Sequence, residues 1–94
     1  MRSRYAAYVL RDERYLLESW HVSRRPVTVE FEPGTKWLGL TVKQSRESET
    51  DRAEVEFIAR YKVGGNSAVR MHERSRFVRE GGRWFYVDGD LLDR

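Results

Sequence analysis

The stretch that decides the fold spans residues 71–89 and reads Met71-His72-Glu73-Arg74-Ser75-Arg76-Phe77-Val78-Arg79-Glu80-Gly81-Gly82-Arg83-Trp84-Phe85-Tyr86-Val87-Asp88-Gly89. Side chains alternate along a strand, so Met71, Glu73, Ser75 and Phe77 share one face. The Gly81-Gly82 pair is typical of a tight turn between antiparallel strands. We therefore predict a β-hairpin that carries a carboxylate and a hydroxyl on an otherwise apolar face.

Length and composition limit the fold and the location. The chain has 94 residues, 18 basic and 15 acidic, and a net charge of +3. This length predicts a single domain over residues 1–94. The absence of cysteine excludes disulfides and thiolate zinc sites and suits a reducing cytoplasm. No apolar run approaches the roughly 20 residues of a membrane span, so we expect a cytoplasmic protein without a membrane partner.

The first twenty residues have helical periodicity. Tyr5, Tyr8 and Val9 recur at spacings of three and four residues. Asp12 can cap a second helix from Glu13 to Trp20, because its carboxylate accepts a backbone N–H of the first turn. We predict two short helices with a break near Arg11-Asp12, the alternative being one continuous helix.

After Pro26 the periodicity changes to two, which predicts strands. The predicted strands cover residues 27–31, 37–42, 54–61, 67–78 and 83–87. Turns are expected at residues 33–34, 64–66 and 81–82, and residues 44–51 form a loop or a frayed hairpin end. Helices followed by strands indicate an α+β fold, with the helices on one face of a strongly curved antiparallel sheet of four or five strands. Two short helices leave a pocket on the concave side.

Glu73 is the strongest candidate for a functional residue. An inward-facing carboxylate suits a general base or acid, with His21 or Tyr86 assisting. The alternative for Glu73 is a structural brace, paired with an arginine or with an indole N–H. The alternative for His21 is to satisfy the last carbonyls of its helix. His72 is expected on the opposite face, exposed.

A wider set of residues is predicted to line a ligand pocket. It comprises Trp20, His21, Trp37, Glu73, Ser75, Tyr86 and Asp88. Asp88 shares a predicted face with Trp84 and Tyr86, where it either meets His21 or ends the strand in a turn. Trp37 is the least certain member, because the apolar face of its strand is the Leu38 face. No metal-binding, phosphate-binding or nucleophile motif is present, so no metal or cofactor is expected.

Several segments, spread along nearly the whole chain, resemble the YchJ-like family. They are Met1–Val9, Tyr15-Leu16, Trp20-His21, Trp37-Leu38, His72–Phe77 and Gly82–Gly89. The resemblance implies the central domain of that family, a cone-shaped α+β fold of the nuclear-transport-factor-2-like superfamily. Members usually also carry cysteine-rich SEC-C segments, thought to bind zinc. That property does not transfer to a chain without cysteine.

The resemblance implies a fold but not an activity. The superfamily contains isomerases, dehydratases, small-ligand binders and inert adaptors, and a fold alone does not choose among them. Val22 stands where the family usually has proline. Because the methionine that matches Met1 lies inside longer relatives, we expect either a stripped-down homologue or an excised domain.

The function we favour is a non-enzymatic module that binds a small ligand or a partner protein. The alternative is a small proton-transfer or hydration enzyme with Glu73 as general base. A weaker alternative is nucleic-acid contact, which is not expected to dominate because acidic residues interrupt the arginine strip. That strip comprises Arg70, Arg74, Arg76, Arg79 and Arg83. A homodimer through the sheet would use the outer apolar residues Ile58, Val78, Phe85 and Val87.

Overall fold

Two helices precede four strands in the computed structural model, which describes residues 1–48 and 50–92. The elements are α1 (Arg2–Leu10), α2 (Glu13–Glu18), β1 (Thr35–Glu47), β2 (Arg52–Val63), β3 (Val69–Glu80) and β4 (Arg83–Leu91). The strands pair antiparallel in the order β1-β2-β3-β4 and form an open sheet. The predicted α+β class and the meander are confirmed.

The break between the helices is located where the sequence predicted it. Arg11 adopts left-handed backbone geometry, with φ of 57°. The carboxylate of Asp12 accepts the N–H of Tyr15 at 3.1 Å and caps α2. In the described part of the chain, neither helix is long and apolar enough to cross a membrane.

The hairpin between β3 and β4 closes on two glycines with positive φ, 59° at Gly81 and 79° at Gly82. This geometry matches the right-handed twist of the flanking strands. β4 then continues past Asp88 to Leu91, because Gly89 pairs with Ser75. The predicted turn at Asp88-Gly89 is therefore wrong. β1 likewise extends to Glu47, into the segment predicted as a loop or a frayed hairpin end, and Glu47 pairs with Ala53 of β2.

A bulge in β1 changes which side chains face the core. Trp37 pairs with Tyr61 and Gly39 with Arg60, so Leu38 is the extra residue. One extra residue reverses the alternation. Trp37 therefore packs against the core, together with Leu40, while Leu38 is 45% exposed. The prediction that Trp37 and Leu38 occupy opposite faces holds, but the apolar face is the face of Trp37.

Another bulge lies in β4. Phe77 pairs with Tyr86 and Arg76 pairs with Asp88, which leaves Val87 unpaired. The bulge moves Asp88 to the outer face, where its carboxylate accepts a hydrogen bond from Arg76. The prediction that Asp88 shares a face with Tyr86 is therefore wrong.

Residues 27–31, predicted as a strand, are in none. Val27 is 93% exposed. The N–H of Val29 donates to the carboxylate of Glu13 at 2.8 Å instead of to a neighbouring strand. The Phe31 ring lies 6.3 Å from that of Tyr8. Of the three alternating apolar side chains, that of Phe31 packs against the helical part of the fold.

The core lies between the helices and one face of the sheet, the inner face. Its buried members are Val55, Phe57, Ala59 and Phe77. The helices contribute Ala7 and Leu16, both buried. With nine and six residues, α1 and α2 cover only part of strands of nine to thirteen residues. Cavities remain where the helices do not reach the sheet.

Candidate ligand-binding site

A cavity of about 220 Å³, here called the Glu73 cavity, lies between α1 and the inner face of the sheet. Four of the residues predicted to line a pocket are in its wall: Trp37, Glu73, Ser75 and Tyr86. The chain therefore places a carboxylate, a hydroxyl, a phenol and an indole around one space.

Glu73 is held firmly at one side of the cavity. The buried hydroxyl of Ser75 donates to Oε2 of Glu73 at 2.5 Å. Gly89 lies opposite on β4, and a β-carbon there would come within 2.5 Å of the same oxygen. Glu73 can occupy this position only because residue 89 has no side chain.

Tyr86 supplies a neutral hydrogen-bonding group beside the carboxylate. Burial, and then the negative charge of Glu73, raise the pKa of Tyr86 to about 12, against the opposing effect of Arg4. The phenol therefore keeps its proton at neutral pH. It can donate a hydrogen bond to a ligand but does not act as a base.

Aromatic rings form the other side of the cavity. The ring of Trp37 lies 5.6 Å from Tyr5 and 5.9 Å from Tyr8, both on α1. Tyr61 supports Trp37 from β2 at 5.2 Å. Such walls bind flat apolar groups. The sequence pattern identified the tyrosines as helical residues but not as lining.

Arg4 lies deep between the helices and the sheet, and the sequence pattern did not identify it as a site residue. Arg4 is 4% exposed, and its Nη1 donates to the carbonyl of Leu16 at 3.0 Å and to Oγ of Ser19 at 2.6 Å. The guanidinium carbon lies 4.9 Å from the Trp20 ring and 4.5 Å from the Tyr86 ring. Burial lowers the pKa of Arg4. The one available signal was its spacing of three residues from Ala7 on α1.

Three predicted site residues lie outside the Glu73 cavity. Nε2 of His21 lies 2.9 Å from the carboxylate of Glu80, whereas Asp88 contacts Arg24 and Arg76. Asp88 is on the outer face. Trp20 contacts the ring of Tyr86 at 5.1 Å but lies behind the cavity wall, with its indole N–H buried and unpartnered among residues 1–48 and 50–92.

The outer face of the sheet carries paired charges. Glu56 accepts hydrogen bonds from Nε2 of His72 at 2.6 Å and from Arg74 at 3.4 Å, and the His72 hydrogen bond is the main reason that the pKa of Glu56 is lowered. The side chain of His72 is only 11% exposed, so the prediction that it is exposed is wrong.

The comparisons with known proteins agree with this fold. A family model described as the YchJ middle NTF2-like domain matches residues 1–89. The chain belongs to this family. A UPF0225 protein of Polaromonas sp. (strain JS666) is 60% identical over 90 residues, which are 96% of this chain and 65% of that protein. Another, from Xanthomonas oryzae pv. oryzae (strain MAFF 311018), is 57% identical over 94% of this chain and 70% of its own length.

A solved structure shares the architecture of this YchJ-family domain. It is the solution structure of RPA3114, a SEC-C motif containing protein from Rhodopseudomonas palustris. It matches with a TM-score of 0.84 and 39% identity, over 99% of this chain and 76% of that chain. The chain spans about two-thirds of the length of the Polaromonas relatives. The resemblance identified from the sequence is confirmed.

No group of three or more potential metal-ligating side chains is found within the described ranges of this YchJ-family domain. The Glu73 cavity instead offers hydrogen-bonding groups at one side and aromatic rings at the other. This arrangement is suited to recognising an organic molecule.

Proposed function

We propose that residues 1–94 form one domain that binds a small organic molecule in the Glu73 cavity. The observation that carries this proposal is the inward carboxylate of Glu73, which a full hydrogen bond from Ser75 and the missing side chain of Gly89 keep in place. Burying an acidic group costs free energy unless the group is paired or hydrogen-bonded, and Ser75 supplies Glu73 with one such bond. Binding a ligand provides another.

The lining defines the kind of ligand. Glu73 accepts hydrogen bonds, so the ligand presents an N–H or O–H to it. Trp37 and the two tyrosines of α1 contact a flat apolar part. The volume of the cavity is below the usual range for drug-sized ligands. A small metabolite therefore fits it better than a peptide segment of a partner protein.

A proton-transfer enzyme is the second candidate. It is favoured because Glu73 and Tyr86 line the same cavity, as a base and a proton donor would. His21, the other predicted assistant, is paired with Glu80 outside the cavity. Binding requires only that the groups hold the ligand, and it therefore remains the first proposal.

A thermal-shift screen of small metabolites tests the proposal. Compounds that stabilise the protein should include donors of hydrogen bonds attached to a flat ring. Glu73→Gln should remove the stabilisation, since the amide presents N–H groups as well as one oxygen. Glu54→Gln is the matched control, because Glu54 is an exposed glutamate.

Three results decide between the candidates. Binders that Glu73→Gln abolishes and Glu54→Gln preserves support the proposed site. Binders that are chemically converted, with loss of conversion in Tyr86→Phe, support the enzyme. Compounds whose binding is unaffected by either glutamate substitution would contradict the proposal that the Glu73 cavity is the binding site.

The other predicted partners have weaker support. Arg74, Arg76 and Arg79 of the arginine strip all contact carboxylates, at 3.4, 2.6 and 2.7 Å. Their charge is therefore less available to nucleic acid. Ile58 is buried within the chain itself, which leaves less apolar area for a homodimer through the outer face. The homodimer and the cytoplasmic location stay predictions.

A further inference from the structure

A second and larger cavity lies beside the first, on the other side of Arg4. Its volume is about 490 Å³, and we call it the Arg4 cavity. Its apolar floor includes Val55, Phe77 and Trp84. Arg4 lines both cavities, whereas Glu73 lines only the smaller one. None of the side chains on which the proposed function rests is among the residues that line this cavity.

Arg4 is a buried cation for which the described part of the chain offers no carboxylate partner. Among residues 1–48 and 50–92, no ion pair involves Arg4 at 4 Å or less, although its residue is only 4% exposed. Arginine does not lose its proton in proteins, so the charge persists. Buried charges are normally paired, because removing a charge from water is expensive. This cation lacks its expected counter-ion.

The unused donors of Arg4 remain accessible. Its two hydrogen bonds, to Leu16 and Ser19, both come from Nη1. Apart from the hydroxyl of Tyr8, which stabilises the charged guanidinium, no partner for Nε or Nη2 is found among residues 1–48 and 50–92. Neither atom is among the fully buried unpartnered ones. In so buried a residue, the accessible donors must face a cavity. A guanidinium fork presented in this way matches the two oxygens of a carboxylate.

The charges around the two cavities favour an anion in the larger one. In the smaller cavity, Glu73 would repel it. Two acidic residues also line the larger cavity, but Glu47 is exposed and Glu18 pairs with Arg14 at 3.2 Å. Exposed charges of this kind are screened by water and salt, whereas the buried charge of Arg4 is screened much less.

We infer that the Arg4 cavity binds a small organic acid, with its carboxylate on Arg4 and its apolar body over Phe77 and Trp84. This inference is independent of the ligand proposed for the Glu73 cavity. The carboxylate of the ligand would be the counter-ion that Arg4 lacks. The apolar body of the ligand would cover the apolar floor of the cavity.

The first test uses the unaltered chain and a matched pair of probes. 3-Phenylpropionate and its uncharged amide have nearly the same shape, and each is titrated against ¹⁵N-labelled protein at low salt. The carboxylate should bind at least tenfold more tightly, with the largest shifts at Val55, Phe77 and the indole of Trp84. Equal affinity for the two probes overturns the inference. So do shifts confined to Trp37 and Glu73.

The second test asks whether Arg4 makes the discrimination. Arg4→Met keeps an apolar stem and should reduce the preference for the carboxylate to less than twofold. Arg2→Met, an exposed arginine of the same helix, should leave it unchanged. A preference that survives Arg4→Met would belong to another cation, such as the amino group of Met1 that also lines the cavity, and overturns the inference. If Arg4→Met does not fold, the comparison of the two probes on the unaltered chain decides whether the inference stands.

Discussion

The carboxylate of Glu73 lies against Gly89, in the space that a β-carbon on residue 89 would fill. Such a carbon would come within 2.5 Å of Oε2 and 2.9 Å of Cδ of Glu73, and within 3.1 Å of the carbonyl oxygen of Arg74. A strand residue without a side chain on β4 thus determines where an acidic side chain on β3 can sit. The relationship links the Asp88-Gly89 pair, predicted as a turn, to the candidate site.

Gly89→Ala should therefore destabilise the protein and displace Glu73 from Ser75. We expect a cost of about 1–3 kcal/mol, as for other overpacked interiors, measured by urea unfolding. Adding Glu73→Ala to Gly89→Ala should recover part of this cost, because the clash is removed. Gly65→Ala is the control, since a β-carbon there meets nothing within 4 Å. Equal effects of the two glycine substitutions would contradict the packing argument.

Tyr86 should make stability fall at high pH. Its pKa is about 12 in the folded protein, against 10.0 for an ordinary tyrosine. Between these values the unfolded chain loses the proton that the folded chain keeps, so the stability present below pH 10 declines as the pH rises toward 12. Tyr86→Phe should flatten this decline in the urea midpoint, whereas Tyr15→Phe should not, because Tyr15 is exposed. Identical profiles for all three proteins would show that Tyr86 titrates normally.

Glu56 should make stability fall at low pH. The hydrogen bond from His72 is the main cause that holds the pKa of Glu56 below its ordinary 4.5. A carboxyl group with a lowered folded pKa stabilises the protein above its unfolded pKa and loses this effect as the pH falls through the folded value. Glu56→Gln should therefore lower the urea midpoint at pH 7 and reduce its change between pH 5 and pH 2.

The control for that experiment is Glu54→Gln, on the same strand and the same face. Glu54 is exposed, and no hydrogen bond to its carboxylate is found in residues 1–48 and 50–92, whereas the carboxylate of Glu56 accepts two. The urea midpoint of Glu54→Gln should fall between pH 5 and pH 2 as much as that of the parent protein. If both substitutions reduced this fall equally, the cause would be the overall charge rather than the contact of Glu56 with His72.

Phe77→Ala should destabilise the protein more than Trp84→Ala, although tryptophan is larger. Phe77 is 7% exposed and belongs to the buried cluster, so its truncation should cost about 3–5 kcal/mol. Trp84 is half-buried, lines the Arg4 cavity and is covered on one face by Arg79 at 5.1 Å. Urea unfolding of the two variants measures which substitution lowers the free energy of unfolding more. A larger cost for Trp84→Ala would place that ring in the core.

Local sequence patterns predicted much of the architecture. The helix break at Asp12 follows from a cap that forms within one turn. The Gly81-Gly82 turn follows from the positive φ that both positions require. The inward direction of Glu73 follows from its spacing of two and four residues from Ser75 and Phe77. Each of these depends only on neighbours along the chain.

The candidate site was predicted less completely. Single-residue bulges at Leu38 and Val87 leave no clear trace in the pattern, yet each reverses the faces that follow it. His21 meets Glu80, 59 residues away, through a contact that no local rule specifies. Arg4 was missed because arginine on a short terminal helix is ordinarily exposed.

By itself the sequence determined the two helices, the antiparallel order of the strands and the inward carboxylate, because periodicity, capping and turn chemistry act over a few residues. Only the tertiary structure decided which side chains share a cavity. It brought Trp37 inward, moved Asp88 outward and enclosed the charge of Arg4. The physical reason is that strand register and the position of a helix on a sheet depend on packing between segments that are distant in the sequence. A shift of one residue in a strand moves its side chains from the core face to the solvent face.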